Sequence, residues 1–495
     1  MKLTCAILVC CVITALARER PVDSTKHEQY ASGEVMERIM KVKEATWQRN
    51  TEQGRIPKNY ASYNAYAPCV NGVVKLGSGT NSTFECKNLD VTGFLTHTDL
   101  GSTDTSNSVG SSIWGHTIDG REFIAIGQSD GAAFAEIVGK GWWNNVPFYG
   151  KAEGTLDYLG RLPYHSVPSL WREIKGYKNY AIIGSEAVGH GIQIFDFHKL
   201  LELRRNRLST ATKVFSTTTD VYHFADLPVG RSHNVVMAEA SEHILAVGSQ
   251  PRNDSCAAGL IFIDMKDPSR PTRTGCAKGD GYVHDAQCLI YHGPDTKYEG
   301  TEICYGYNED SLTIYNVTDK TTTNIISKTS YDGASYTHQG WVLDPNNQAF
   351  LLLDDEFDEY DKNGAAADQR ATTYIWNIAS LESPVLTGYH KSDIVSIDHN
   401  QYINNMFSYQ SNYGSGLRIL DVSSVPTDPT GSGIQEVAFI DIYPEDDEAP
   451  IAEFSGTWSN YPYFKSGHIP INTFERGVFV VKRSKEVGQG IRAEF

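Results

Sequence analysis

The sequence predicts an all-β protein, a seven-bladed β-propeller with a short N-terminal helical or irregular arm that also supplies a closing strand. Three observations carry this. A Trp or His beside a polar residue heads an apolar run seven times, at Trp114, Trp171, His233, His284, His338, His399 and Trp458, spaced by about 60 residues as repeat architectures are. Behind each head the same order of short β-prone runs and turn residues returns. A segment ahead of the first unit repeats the wording of the units' last strands, which is what a ring closed by its two ends requires.

Taken in order, residues 1–17 read as a signal peptide: Lys2, an apolar run from Ala6 to Leu16, and a small-residue site near Ala17. Residues 18–88 form an arm, in which Gly33 to Lys43 carries Val35, Ile39 and Val42 at near-helical spacing. The propeller spans residues 89–485, with a tail at 486–495. The third strand of each unit ends on an acid or amide, as in residues 191–196 (G-I-Q-I-F-D), 259–264 (G-L-I-F-I-D), 311–316 (S-L-T-I-Y-N), 374–377 (Y-I-W-N) and 416–421 (G-L-R-I-L-D). Fourth strands follow Pro271 (P-T-R-T-G-C) and Pro384 (P-V-L-T-G-Y). Residues 89–94 (L-D-V-T-G-F) share their T-G wording and are expected to complete blade seven. Radial sheets of four short strands bury their faces on neighbouring blades and leave only short edges.

The wording of the G-L-R-I-L-D-V run from Gly416, with H-D-A-Q-C, T-H-Q-G-W, D-H-N-Q-Y and W-S-N-Y-P-Y-F, resembles the choice-of-anchor B family of secreted or surface-attached LVIVD-repeat propellers. The resemblance runs from about Cys69 to Lys482. It implies the fold and an extracellular setting, and it supplies no catalytic residues. With no anchoring tail before Phe495, free secretion is the expectation.

Composition sets the surroundings. Nine cysteines, three of them in the leader, leave Cys69, Cys86, Cys256, Cys276, Cys288 and Cys304; an even number in an oxidising compartment reads as disulfides. Pairwise clustering favours Cys69–Cys86, Cys256–Cys276 and Cys288–Cys304, with buried free thiols as the alternative. Asn81, Asn253 and Asn316 open glycosylation sequons. No run after the leader is long and apolar enough to span a membrane. A formal net charge of −17 argues against nucleic acid and anionic membrane, which require a basic surface. An extracellular ligand, a matrix component, a cation or a basic protein fits better.

The inner strand of each blade lines the central channel, so the heads converge on its mouth. Second strands run back antiparallel and return their ends to the same face: Glu186 in G-S-E-A, Glu309 and Asp310 in Y-N-E-D, and Asp354, Asp355 and Glu356 in L-D-D-E. Imidazoles with carboxylates suit zinc, copper, manganese or iron, and carboxylates alone suit calcium. The candidate metal ligands are therefore His233, His284, His338, His399, Glu309, Asp354 and Asp355. Trp114, Trp171, Glu186, Asp285 and Trp458 are candidate ligand-binding residues around them. A purely structural reading stands beside this one: the histidines bond the next blade's backbone while Asn234, Asp285, Gln339 and Asn400 fix turns. No nucleophile elbow, H-E-x-x-H helix or phosphate-binding loop occurs, and Tyr461 with Tyr463 reads as blade packing. Two functions remain: a noncatalytic propeller binding a ligand, cation or matrix partner through an acidic, His-lined mouth, or a metal-dependent oxidase or hydrolase with Asp354 or Glu309 as general base.

Overall fold

The computed structural model describes residues 18–55, 60–77, 82–103, 109–139, 142–143, 146–147, 151–204 and 209–484. Residues 1–17, read above as a signal peptide, Asn81 and the tail 486–495 lie outside them. Seven antiparallel sheets follow one another around a central axis. In blade three, for example, Asn234–Ala238, His243–Val247, Leu260–Asp264 and Thr272–Ala277 run from axis to rim, each paired to the next. Successive inner strands pack on each other, and Val235, Ile244, Ile261 and their like are fully buried between blades.

The last strand of blade seven is Leu89–Thr96, paired antiparallel with Gly477–Arg483. Phe94 stacks on Phe479 with ring centroids 4.2 Å apart. The T-G wording now has a physical reason. In blades three, five and seven the register slips by one residue beside the Gly, and the extra residue is the Thr. Its Oγ1 donates to the third-strand carbonyl in Thr274 to Phe262 O and Thr387 to Ile375 O, and in Thr92 it lies between Val480 O at 3.2 Å and Gly154 O of blade one at 2.9 Å. The following Gly is required because other backbone passes close by; a Cβ on Gly275 would sit 2.0 Å from Lys320 O, and one on Gly388 2.3 Å from Thr430 O. The bulge is thus a sequence-readable mark of an outer strand.

The arm is longer than expected. Helix α1 (Ser24–Ser32) begins at Asp23, whose side chain accepts from Thr25 N and Lys26 N, and ends at Gly33 in the left-handed region. Helix α2 (Glu34–Glu52) continues well past Lys43. The polar α1 has no clean apolar stripe to announce it, which is why spacing alone finds only part of α2. Together the helices cross the mouth. Glu19–Arg20 first pairs with the outer strand of blade four; α1 then bonds blade four through His27 and Asp310, 3.0 Å apart. From α2, Arg38 binds Asp361, Trp47 Nε1 donates to Phe454 O at 2.6 Å and Asn50 donates to Ser455 Oγ at 3.0 Å. Beyond the helices, Val73–Lys75 and Thr83–Lys87 extend blade six past its outer strand.

The disulfides are Cys69–Cys86, Cys256–Cys276 and Cys288–Cys304. Cys288 and Cys304 face each other in register on the first two strands of blade four. Replacing both with Ala is expected to lower unfolding free energy by about 2–4 kcal/mol, measured as a lower denaturant midpoint at unchanged slope; an unchanged midpoint defeats this.

Candidate functional site at the channel mouth

Strand heads enter the channel through a shared local device. In blades one, five, six and seven the inner strand bulges at its first residues, between Gly110 and Ile113, Thr337 and Gln339, Ile397 and Asn400, and Thr457 and Ser459. A bulge re-aims one side chain out of the pleat; here these include His338, His399 and Trp458. In blades three and four the heads precede the ladder, with His233 N donating to Val247 O and His284 N to Tyr307 O.

This register corrects two members of the expected ring. In blade one the bulge holds Ser111 and Ser112, and Trp114 lies two residues farther down the channel against Tyr402 and Tyr461. In blade two, Ser185 Oγ donates to Trp171 O as Ser249 Oγ does to Arg231 O. Trp171 therefore matches Arg231, and Glu173 matches His233. Trp171 stands above the ring, 5.9 Å from Trp47 of α2. The ring is Ser112, Glu173, His233, His284, His338, His399 and Trp458. Aligning the second strands, G-S-E with G-S-Q, would have found Glu173.

Four imidazoles from adjacent blades do meet. Ring centroids are 4.3 Å apart for His233 and His284, 4.2 Å for His284 and His338, and 4.7 Å for His338 and His399. Every Nδ1 is engaged by an oxygen: Glu186 Oε1 at 2.8 Å from His233, His338 O at 2.8 Å from His284, Asp354 Oδ1 at 3.3 Å from His338 and Trp458 O at 2.8 Å from His399. A carbonyl or carboxylate oxygen only accepts, so Nδ1 of His233, His284 and His338 carries the proton and leaves Nε2 a bare lone pair; His399 Nδ1 lies between Trp458 O and the Asn400 amide nitrogen, 3.0 Å away, and takes the same tautomer when it donates to Trp458 O. No described residue donates to those Nε2 atoms. Burial first, then neighbouring imidazoles and the Lys43 ammonium, holds His284 and His338 well below the usual imidazole range; burial and Lys43 do the same to His399. They are neutral at physiological pH, the ligating form.

A carboxylate completes the group. Glu356, just past the second strand of blade five, is fully buried. Its Oε1 accepts from Lys43 Nζ at 2.6 Å and Tyr413 OH at 3.2 Å, and lies 3.6 Å from His399 Nε2. Its Oε2 has no hydrogen-bond partner and lies 3.8 Å from His338 Nε2. Ligand atoms of His338, Glu356 and His399 all fall within 4.8 Å of one another. Two imidazoles and a carboxylate are a donor set for zinc and its neighbours. The adjoining cavity, about 20 Å³, is lined by the four histidines, Glu173 and Trp458; that is room for one water or ion.

The remaining candidates are placed otherwise. Glu309 lies outside the group of His338, Glu356 and His399, and Arg252 takes both its oxygens at 2.7 Å. Asp355 lies outside it too, and Tyr331 OH and the Ser335 and Tyr336 amides bind it and fix the turn. Asp354 holds His338 and accepts from Gln401 Nε2 at 3.2 Å. Glu186 holds His233. Asp285 is buried in blade four and pushed up to about 7, chiefly by burial. Trp458 is in the ring, 5.1 Å from His399. Tyr461 and Tyr463 pack on each other and on Trp114.

Beside this site a cleft of about 990 Å³ opens between α1–α2 and blades two and three, lined by Met36, Met40, Trp171, Glu186, Arg231 and His233 among others. It shares Trp171 and His233 with the axial cavity. Asn253 is exposed on its wall. Asn316 is half-buried at a strand end, its side-chain oxygen accepting from Thr318.

No family model and no curated protein matches the chain. Among solved structures, the β-propeller domain of Myceliophteria thermophila Cps50 (Swd1) is similar at 12% identity and a TM-score of 0.39, over 73% of this chain and 93% of that one.

Proposed function

We propose that this protein is an extracellular binding propeller whose axial site holds one divalent transition-metal ion on His338, His399 and Glu356, and whose ligand enters by the cleft under the arm. The observation that carries the reading is convergence: ligand atoms of His338, His399 and Glu356 lie within 4.8 Å of one another, with one Glu356 oxygen unpartnered and with Asp354 and Trp458 O beside the two Nδ1 atoms. Asp354 is the outer partner that fixes His338. Three disulfides favour an oxidising compartment, and no helix among the described residues is long and apolar enough to cross a membrane. The cleft is of ligand-pocket size, and an extracellular small molecule or matrix segment is its occupant. Likeness to the choice-of-anchor B propellers supports the same setting.

An enzyme is the second reading, favoured by the cleft's continuity with the axial cavity. It ranks below binding because both expected general bases are engaged, Glu309 by Arg252 and Asp354 by His338 and Gln401.

Chelator-treated full-length protein titrated calorimetrically with zinc or cobalt is expected to bind one ion per chain. His338→Gln with His399→Gln should abolish tight uptake at unchanged far-ultraviolet dichroism. Asp354→Asn should weaken it by about 10–100-fold. A wild type that takes up neither metal overturns the proposal.

A further inference from the structure

We infer a second cation site, off the axis in the seam between blades five and six, built for calcium by Asp358, Glu359, Asp398 and Asn412. It is separate from the axial site and does not depend on it.

The loop after Phe350–Asp355 reads E-F-D-E and turns Asp358 and Glu359 inward. Across the seam, Asp398 sits in the bulge at the head of blade six, and Asn412 lies on the neighbouring strand opposite that bulge. Gln410, two residues along from Asn412, reaches Thr373 Oγ1 of blade five at 2.7 Å. Side chains two apart on a strand share a face, so Asn412 also points into the seam. All four residues are buried, Asp398 at 2% exposure and Asn412 at 1%.

Their free atoms are what point to an ion. Both carboxylate oxygens of Asp398 and both polar side-chain atoms of Asn412 have no hydrogen-bond partner, and Asp358 Oδ1 and Glu359 Oε2 have none beyond the contact of their two carboxyls with each other. The other oxygens are held, Asp358 Oδ2 by Tyr374 OH at 2.6 Å and Glu359 Oε1 by Thr372 N at 2.8 Å. Among the described residues no Lys, Arg or His pairs with these three carboxylates. The charged groups acting most strongly on Asp398 are the acids Asp354, Asp358, Asp355 and Glu356. Buried carboxylates gathered without a basic partner favour a cation between them. A cation in the seam takes the Asn412 amide oxygen and the Asp398 carboxylate as ligands together.

The donors are all oxygen, unlike the axial pair of imidazoles, and that selects a hard ion. Only the axial group closes within 4.8 Å; the seam acids do not. Calcium bonds oxygens at about 2.3–2.6 Å, so oxygens on opposite sides of it stand about 5 Å apart, and it accepts irregular sets of six to eight. Magnesium demands a smaller, regular octahedron and retains water. One loop thus serves two cations: Asp354 and Glu356 face the axis, Asp358 and Glu359 the seam.

The test uses full-length protein freed of metal by chelator, with calcium alone as probe and magnesium as control. Elemental analysis after calcium equilibration is expected to find one bound ion, and the melting temperature should rise with calcium and hardly with magnesium. Asp398→Asn, which keeps the shape, should lower calcium affinity at least tenfold. His338→Gln with His399→Gln should leave it unchanged, which separates this proposal from the axial one. Asn412→Asp adds an oxygen ligand and should tighten calcium binding. No uptake at millimolar calcium, an equal response in Asp398→Asn and wild type, or loss of calcium only in the axial variants overturns the assignment.

Discussion

A chain trimmed past residue 96 is expected not to form a stable propeller. The cut removes Leu89–Thr96 and with it the buried side chains of Leu89, Val91 and Phe94. At about 1.5–3 kcal/mol for each large apolar side chain, the loss is about 5–9 kcal/mol, close to the whole net stability of an ordinary domain. It also bares the edge of Gly477–Arg483 to other chains. Size-exclusion chromatography should find aggregates, and thermal scans a lost or strongly lowered transition. Trimming only residues 18–58 uncovers the mouth but keeps the closing strand, so a cooperative transition should survive. Equal behaviour of the two truncations would mean that the ring closes by other means.

Lys43→Met is expected to cost about 3–5 kcal/mol in chelator, because the substitution leaves Glu356 a buried charge without its partner. Zinc should restore most of that loss and should bind at least tenfold tighter than to wild type. Lys43 Nζ lies 2.6 Å from Glu356 Oε1, on the very carboxylate the metal would use, and its removal takes away a competing cation. Denaturant melts with and without zinc read both effects. Unchanged zinc affinity in the variant would show that Lys43 and the ion do not compete.

Much of this architecture was legible in the chain. Spacing of heads, acid-ended third strands and the T-G mark of outer strands carried the blade number and the closing strand, because each reflects a contact repeated in several units. The site was legible only where the repeat is regular. His233, His284, His338 and His399 line up in sequence and in space. Aligning aromatic residues missed the ring position by two residues: in blade one the bulge puts Ser112 there and Trp114 deeper, and in blade two the second-strand contact puts Glu173 there, with Trp171 still on the wall of the cavity. Asp355 was preferred to Glu356 because both lie in one acidic run; alternation from Asp354 would have favoured Glu356. Glu309 could not be separated from a ligand without Arg252, 57 residues away in sequence, whose guanidinium holds it. Asp398 and Asn412 carry no local signal at all, since what distinguishes them is a partner they lack.

The arm's route across the mouth also governs the order of assembly. Lys43 and Glu356 are 313 residues apart, Trp47 and Phe454 407, and Thr92 and Val480 388. Most of the bonds that fasten the arm therefore lack their partners until blades four to seven exist. Contacts of such long range are slow to form, so docking of the arm and insertion of Leu89–Thr96 come last in folding, after the blades are built. Until then an apolar helix face and an unpaired strand stand open to aggregation. The same late step runs first in reverse: lifetime of the folded state is set by release of the arm, and a ligand or ion that fastens α2 to the mouth slows unfolding without touching the blades.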